Sequence, residues 1–383
     1  MLAKLGEAGP AAYDIDGQRI DVQAPGFAQA MARAHAMQQR PRCMCQPGGI
    51  ETYVAKINGG YVVKRMPETG SQHVASCPHF EPSADAHGFG PLIGTAIRED
   101  PATGLTALRV DFSMSRLPPR QVARSTSRHT LPTARSGAKL SLHQLLLYLW
   151  HEAGLTRWQP SFAGKRNWGT VRWRLLQAAS DTLIGGRPLR DRLFVPEPFA
   201  VERRDEIAHR RTAAWSMVRS GGSASGQLLL LIGELKEIAA ARCGFRAVVK
   251  HMPDQAFMID ERLHRQMTHR LQPALALWNT ADDVRMLVIG TFAINAAGGP
   301  AIVELALMPT TREWIPVSAP DDREFVARLI REDRCFIKHS LIGPRSDNLG
   351  PCLTVTDGAN QALPVRLDPV DHEELFVRIA RPL

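Results

Sequence analysis

A chain of 383 residues is longer than one hydrophobic core usually supports, and its 44% hydrophobic fraction is ordinary for globular proteins, so two or three folded domains are expected. No apolar run approaches the roughly 18 residues that a membrane span needs, and the N-terminus MLAKLGEAGPAAYD carries acids where a secretory signal has an apolar core. We therefore expect a cytoplasmic protein without a membrane segment. The net charge is +9, and its distribution along the chain is more informative than its size.

The N-terminal region contains a predicted β-hairpin. Residues 50–57 and 61–66 are rich in Val, Ile and Tyr and are separated by Asn58-Gly59-Gly60. Asn-Gly is a strong hairpin signal because a tight primed turn requires residues that tolerate positive φ. A hairpin brings its two ends together, so the chemistry at those ends is predicted to meet.

Three of the six cysteines flank this hairpin, as Cys43-x-Cys45 before it and within His73-x-x-x-Cys77 after it. Three thiolates and one imidazole form a ligand set that suits tetrahedral zinc. We place His73 and Cys77 on one helical turn, with both side chains on the same face, and keep His79 as the alternative fourth ligand. Four protein ligands leave no open position, so the predicted zinc site is structural.

Positive charge is concentrated in one central stretch. Between Asp111 and Asp181 the only acid is Glu152, against eleven Lys and Arg residues. Such a block indicates contact with phosphates or another acidic surface, and the alternative is a solvated basic linker. Residues 116–139 are rich in Pro, Ser, Thr and Arg without apolar periodicity, which predicts a linker.

Two helices are predicted after the linker. Ser141 caps a helix over 142–153, which has an apolar stripe, and a second helix is expected over 168–183. Together with a short strand at 193–195, they predict a winged-helix-like module that presents its second helix to DNA. The candidate nucleic-acid-binding residues are Lys165, Arg166, Arg172 and Arg174.

Four of the seven tryptophans, Trp150, Trp158, Trp168 and Trp173, also lie in this basic region. Basic residues interleaved with aromatic residues suit single-stranded nucleic acid, whose bases stack on exposed rings. Tryptophan on an amphipathic helix usually belongs to the core, so we expect at most one of the four to serve as a stacking surface.

The C-terminal half contains a candidate internal repeat. After the Gly/Ser-rich joint at 220–226, Ile232-Gly233 recurs as Ile289-Gly290, 57 residues later, within similar apolar strands. This spacing predicts a duplicated βββα unit with a degenerate third copy from residue 335 and a final helix over 372–379, and chance similarity of short strands is the alternative.

One pair of residues suggests catalysis. Glu234 and Lys236 follow a strong strand, as the acid and lysine of a Mg²⁺-dependent PD-(D/E)xK nuclease do, and strand alternation places them on one face. The preceding strand supplies no aspartate, so an exposed ion pair is the favoured reading. We find no nucleotide-binding or serine-hydrolase motif.

These patterns predict an α+β protein of several domains. The predicted divisions are a zinc-knuckle β-rich domain at 1–115, a basic linker at 116–139, a helical module at 140–219 and an α+β domain at 227–383.

Several of these motifs together resemble a family of bacterial proteins of unknown function. The motifs are the CxC, the strand pair, His-x-x-x-Cys-Pro, LLLYLWHEAGL, IGELKE and KHMPD. The resemblance extends over most of the chain and implies an origin on plasmids or integrative conjugative elements. It implies no activity and no catalytic residues.

The sequence therefore favours a binding protein over an enzyme. We expect a zinc-stapled accessory protein of a mobile element that binds nucleic acid, DNA in preference to RNA, through the central Arg/Trp-rich region. The alternatives are a Mg²⁺-dependent nuclease using Glu234 and Lys236, and a scaffold for an acidic protein partner.

Overall fold

The computed structural model describes residues 12–57, 60–83, 88–115, 137–219, 226–294, 299–339, 352–357 and 363–366. Helices and several β-sheets are both present, so the predicted α+β class is confirmed. Within the described ranges, no helix is long and apolar enough to cross a lipid bilayer.

The first sheet is antiparallel throughout and has the order β2-β1-β3-β4-β5. Its strands are β1 (Ala12–Ile15), β2 (Gln18–Asp21), β3 (Arg42–Cys43), β4 (Ile50–Ile57) and β5 (Gly60–Arg65). Helix α1 (Phe27–Ala36) buries Met31 and Ala34 in a cluster that includes Val54 of β4. The predicted hairpin is therefore present as β4 and β5, and its turn at 58–59 lies outside the described residues.

The central region contributes two helices and several short strands. In chain order the next elements are β6 (Ile97–Asp100), β7 (Leu105–Leu108), α2 (Leu142–Glu152), β8 (Arg157–Trp158), α3 (Trp168–Ser180), β9 (Thr182–Ile184) and β10 (Arg187–Pro188). A second sheet has the order β10-β9-β7-β6, in which β9 runs parallel to β7. This sheet joins segments that the sequence analysis assigned to two different domains.

Both central helices begin at the caps expected from sequence. Ser141 and Gln144 form a capping box, in which each side chain accepts a hydrogen bond from the backbone N–H of the other residue. Gly154 follows α2 with φ +65°, a conformation that glycine adopts without a Cβ clash. The Asn167 side chain accepts from Thr170 N at 3.0 Å and starts α3.

A closed five-stranded barrel forms most of the C-terminal half. In chain order, the elements of this region are β11 (Leu193–Phe194), α4 (Arg204–Arg219), β12 (Leu229–Ala240), β13 (Phe245–Val249), β14 (Phe257–Ile259), α5 (Glu261–Arg270), α6 (Gln272–Thr280), β15 (Arg285–Ile294) and β16 (Pro300–Thr310), and the barrel strands are β12 to β16. The order is β12-β13-β14-β16-β15, and β15 returns to pair with β12. Only the β14–β16 contact in the closed ring is parallel. This order, with helices between the third and fourth barrel strands, is the topology of an OB-type barrel.

The long strand β12 allows the barrel to close. Its first half pairs with β15 and its second half with β13, with a register shift between Leu235 and Glu237. At Gly233 an added Cβ would lie 2.8 Å from Val249 Cγ1, so only glycine permits this close approach of the strands. The outward residues Leu230 and Ile232 belong to the same buried cluster as the leucines of α2, which therefore covers this side of the barrel.

The two proposed repeat units are not separate in the structure. Ile232 of β12 lies directly opposite Ile289 of β15, so the two Ile-Gly strands are neighbours in one barrel. A second βββα unit would need a third strand after β16. The chain after β16 instead forms an isolated bridge, between Thr310 and Pro316. A duplicated βββα architecture is therefore not what the barrel displays.

The last described elements contact the N-terminal region. They are α7 (Pro320–Arg331), β17 (Phe336–Lys338), β18 (Cys352–Val355) and β19 (Leu363–Arg366), and a sheet of order β19-β18-β17-β8 contains three of them. Ile337 of β17 is buried in one cluster with Tyr13, Cys43, Cys77 and Phe80. The predicted final helix at 372–379 lies outside the described residues.

Candidate metal centre

The first pair of candidate ligands is positioned by a short strand and the turn after it. Cys43 is in β3, which pairs with β1 on one side and β4 on the other. Arg42 donates from Nε to Gly48 O and from Nη2 to Gly49 O, both at 3.0 Å. These two glycines have φ +85° and +64°, so the turn that carries Cys45 depends on backbone conformations that glycine favours.

The second pair lies in a loop that folds back on itself. Glu81 N donates to Gly70 O at 3.1 Å and joins the two ends of the loop. Inside it, Cys77 N donates to Val74 O at 2.8 Å, and Phe80 N donates to Cys77 O at 2.9 Å. His73 has extended backbone angles, φ −75° and ψ 154°, so the expectation that His73 and Cys77 share a helical turn was wrong. Consecutive tight turns bring these two side chains together instead.

The four candidate ligand atoms lie close enough together to share one ion. The Sγ atoms of Cys43 and Cys77 are 3.7 Å apart, and His73 Nδ1 is 3.4 Å from Cys45 Sγ and 3.6 Å from Cys77 Sγ. All four atoms lie within 4.8 Å of one another. Zinc bonded to sulfur at about 2.3 Å and to nitrogen at about 2.0 Å in a regular tetrahedron requires S···S edges of about 3.8 Å and S···N edges of about 3.5 Å. The cluster is geometrically compatible with a metal ion.

The surroundings of the cluster raise the pKa of two of its thiols, those of Cys43 and Cys45. Cys43, His73 and Cys77 are buried and Cys45 is half-buried. The hydrogen bond with the Cys77 thiol, followed by burial, raises the pKa of Cys43 to about 12, and burial raises the pKa of Cys45. Metal binding must therefore displace protons from these thiols.

The alternative ligand His79 has a different partner. Its Nε2 atom lies 2.6 Å from the hydroxyl of Tyr13, and burial lowers its pKa to about 3. Its ring centroid is 5.4 Å from that of His73, so it lies beside the cluster without contributing to it. Among the described residues, the cluster that contains His73 is the only group of three or more His, Cys, Asp or Glu side chains that could hold a metal.

A partly buried network of charged and polar side chains supports the loop at 70–81. Glu81 forms an ion pair with Arg65 and lies 2.6 Å from His151 Nε2, and Arg157 Nη2 donates to Phe80 O at 2.6 Å. This network connects the loop to β5, α2 and β8. Sequence reasoning missed it because its members come from four separate segments and follow no local pattern.

Three of the four predicted nucleic-acid-binding residues have structural partners inside the protein. The Arg166 guanidinium donates to the carbonyls of Leu155 and Arg157, and its Cζ lies 4.7 Å from the ring centroid of Phe162. Burial lowers the pKa of Arg166 to about 9. Lys165, next to it, is exposed.

The other two arginines anchor α3. Arg172 Nε donates to Val195 O at 3.0 Å, and Arg174 Nη1 donates to Ala153 O at 3.2 Å, at the end of α2. Both guanidinium groups therefore join α3 to neighbouring segments, and their removal would disturb the fold.

The four tryptophans of the basic region divide sharply by burial. Trp150, Trp158 and Trp168 are buried, whereas 60% of Trp173 is exposed. One ring of the four is therefore accessible at the surface.

Glu234 is paired with cations. Among the described residues, it belongs to no group of three or more His, Cys, Asp or Glu side chains that could hold a metal. Its Oε1 accepts from Lys250 Nζ at 3.0 Å and from Arg285 Nη1 at 2.9 Å, and the side chain is buried. Burial alone raises its pKa, but hydrogen bonds from His251 and Lys250 and the charge of Arg285 lower it to about 2. Lys236 is exposed and lies at the register shift in β12. In the described part of the chain, the neighbourhood of Glu234 therefore lacks the acid cluster that a Mg²⁺ nuclease needs.

The fold and the cluster define an α+β protein with a Cys₃His site compatible with a metal ion. Residues 13–379 match the family described as "Protein of unknown function (DUF1173)", and the chain belongs to that family. No curated protein and no solved structure matches the chain.

Proposed function

We propose that the Cys₃His cluster binds one zinc ion as a structural staple. The observation that carries this proposal is the convergence of three Sγ atoms and one imidazole nitrogen within 4.8 Å of one another. A set of three thiolates and one imidazole selects a borderline-soft ion such as zinc over the oxygen-seeking ions Mg²⁺ and Ca²⁺. Because all four positions are occupied by protein, the ion would hold the loop at 70–81 against β3 and take no part in catalysis.

Metal analysis of the purified protein tests the staple. We expect one zinc per chain in the wild type and none in the Cys43→Ser and Cys77→Ser variants. The matched control is Cys243→Ser, because Cys243 is an exposed free cysteine outside the cluster. A folded wild-type protein that contains no metal, or metal content unchanged in both cluster variants, would contradict the proposal.

We further propose that the protein binds nucleic acid, with DNA as the expected partner. The observation that carries this proposal is the segregation of eleven cations against one acid between Asp111 and Asp181. The described residues that flank the predicted linker at 116–139 are anchored. Asp111 N donates to Leu140 O at 3.0 Å, and Leu228 N, just before β12, donates to Met114 O at 3.1 Å. Met114 therefore lies beside the start of the first barrel strand.

The barrel gives this arrangement a second line of support. OB-type barrels commonly bind oligonucleotides or oligosaccharides, and the block of positive charge in the sequence favours the polyanion. One fold can serve many functions. The charge distribution is therefore the main support for nucleic-acid binding, and the barrel is consistent with it. In keeping with the resemblance to proteins of plasmids and conjugative elements, we propose an accessory role on mobile DNA.

Charge reversal combined with salt titration tests nucleic-acid binding. Because Arg166, Arg172 and Arg174 have structural roles, the triple variant should change Arg120, Arg124 and Arg128 to Glu. The matched control reverses Arg262, Arg265 and Arg270, three exposed residues of α5.

We expect wild-type affinity for labelled single-stranded DNA to fall steeply with salt because counterions are released on binding. The triple variant should bind more weakly and lose roughly 2 from the slope of log K against log salt, whereas the control should resemble the wild type. Equal losses in both variants, or no binding at low salt, would contradict the proposal.

A further inference from the structure

The outer face of α3 exposes an aromatic ring. Trp173 is 60% exposed, and it is the only aromatic among the large hydrophobic side chains that are exposed in the described part of the chain. The other described tryptophans in this region are buried. Single exposed apolar side chains are common on protein surfaces, so the surroundings of this ring decide what it can bind.

Two segments that contact α3 near Trp173 carry cations. Before it, Thr170 Oγ1 donates to the main-chain carbonyl of Lys165 at 3.3 Å, so the backbone at Lys165 lies against the first turn of α3. After it, Arg190 Nη1 donates to Leu176 O at 3.3 Å and accompanies the next turn. Lys165 and Arg190 are both exposed.

No carboxylate competes with these cations on the helix itself. The sequence of α3, WGTVRWRLLQAAS, contains no acid, and Asp181, the residue that caps its C-terminus, is paired with Lys64. The helix also lies against the barrel, because the ring of Trp168 stacks on that of His251, which follows β13, with centroids 5.1 Å apart. The outer face of α3 therefore carries an exposed aromatic ring and no acid, and the segments that contact the helix at Lys165 and Arg190 supply cations.

We infer that Trp173 is a stacking platform for an unpaired base, so that the preferred ligand of this protein is single-stranded nucleic acid. The inference rests on the nucleic-acid-binding function proposed above and specifies its substrate class. An unpaired base offers a π-face to the indole, and Lys165 and Arg190 can contact the phosphates on either side. A duplex keeps its base faces stacked inside, so it can use the cations but not the ring.

The test compares single-stranded and duplex DNA with Trp173 variants. The single strand should be a labelled deoxythymidine oligomer longer than the roughly 16 nucleotides that an OB-type domain covers. We expect Trp173→Ala to weaken single-strand binding by about 5- to 150-fold, the range for loss of one stacked base, with little effect on duplex binding. Trp173→Phe should retain most of the affinity, and the salt dependence should be unchanged in both variants because stacking is not ionic.

Val201→Ala is the matched control, since Val201 is an exposed apolar residue, 66% accessible, outside α3. Thermal unfolding should be the same for all three variants, because the substituted side chains are at the surface. Unchanged single-strand affinity in Trp173→Ala, or equal losses for single strand and duplex, would overturn the inference while leaving the proposed function in place.

Two other outcomes are also decisive. Wild-type protein that binds neither form of nucleic acid would remove the proposed function and the inference together. Self-association that disappears in Trp173→Ala, without a change in DNA binding, would assign the ring to a protein contact and overturn the inference alone.

Discussion

The Sγ atoms of Cys43 and Cys77 lie 3.7 Å apart, although 34 positions separate the two residues in the chain. This distance is far beyond the roughly 2.05 Å of a disulfide and close to the edge of a zinc–thiolate tetrahedron. The chain between them forms the β4–β5 hairpin and most of the loop at 70–81, so a metal at this point would stabilise the contact between β3 and that loop.

Removal of the metal should therefore have a local effect. We expect chelation to accelerate amide hydrogen exchange in peptides covering residues 42–81 by at least about tenfold, which corresponds to roughly 1.4 kcal/mol of local stability. Peptides from β12 and β15 serve as the internal control because their barrel pairings do not involve the cluster. Equal exchange before and after chelation in residues 42–81 would mean that no metal stabilises this loop.

Arg166 and Lys165 provide a matched pair of neighbouring basic residues. Arg166→Glu should destabilise the protein by about 1–3 kcal/mol, because it removes a half-buried guanidinium that donates to main-chain carbonyls and places a carboxylate beside them. Lys165→Glu should change the free energy of unfolding by less than about 0.5 kcal/mol, since Lys165 is exposed. Urea unfolding of the two variants checks the difference, and similar stabilities would be inconsistent with the internal role of Arg166.

Gly70 is predicted to tolerate no side chain. A Cβ at this position would lie 2.6 Å from Glu81 Cβ and 3.1 Å from Arg65 Nε, so Gly70→Ala should cost about 1–3 kcal/mol through overpacking of the ion pair. Gly26→Ala is the control, because an added Cβ there meets nothing within 4 Å. Thermal unfolding of both variants measures the difference. A neutral Gly70→Ala would show that the loop relaxes without penalty.

The pH dependence of stability should report on Glu234. Its pKa is about 2 in the folded protein and 4.5 without the protein environment, so its ionised form is favoured by folding. The resulting stabilisation is fully present above about pH 4.5 and is lost as the pH falls towards 2. Glu234→Gln should lower stability at pH 7 by about 1–3 kcal/mol and reduce the slope of stability against pH in this window.

Glu237→Gln is the control for this experiment. Glu237 is in the same strand but is 46% exposed, and it pairs with Arg246 at 3.5 Å, so its substitution should cost at most about 1 kcal/mol. Urea unfolding at several pH values distinguishes the two variants. An unchanged pH slope in Glu234→Gln would mean that the ion pairs of Glu234 contribute nothing to folding.

Local patterns predicted much of the secondary structure. The β4–β5 hairpin, the capping box of α2 and the start of α3 all agree with the sequence analysis, because each depends on residues a few positions apart. The convergence of Cys43, Cys45, His73 and Cys77 could also be predicted, since a hairpin brings its ends together whatever the rest of the chain does. The mixed α+β class followed from the same local signals.

The tertiary structure alone decided what those elements do. The pairing of Arg166, the closure of the barrel by β12 and β15, and the exposure of Trp173 all depend on residues far apart in sequence. Lys165 and Arg166 are adjacent and chemically alike, yet Lys165 is exposed and Arg166 is half-buried and hydrogen-bonded, because the partners of Arg166 come from other segments of the chain. Charge and hydrophobicity are properties of a residue, whereas burial and pairing are properties of its neighbours in space, and those neighbours are brought together only by the folded chain.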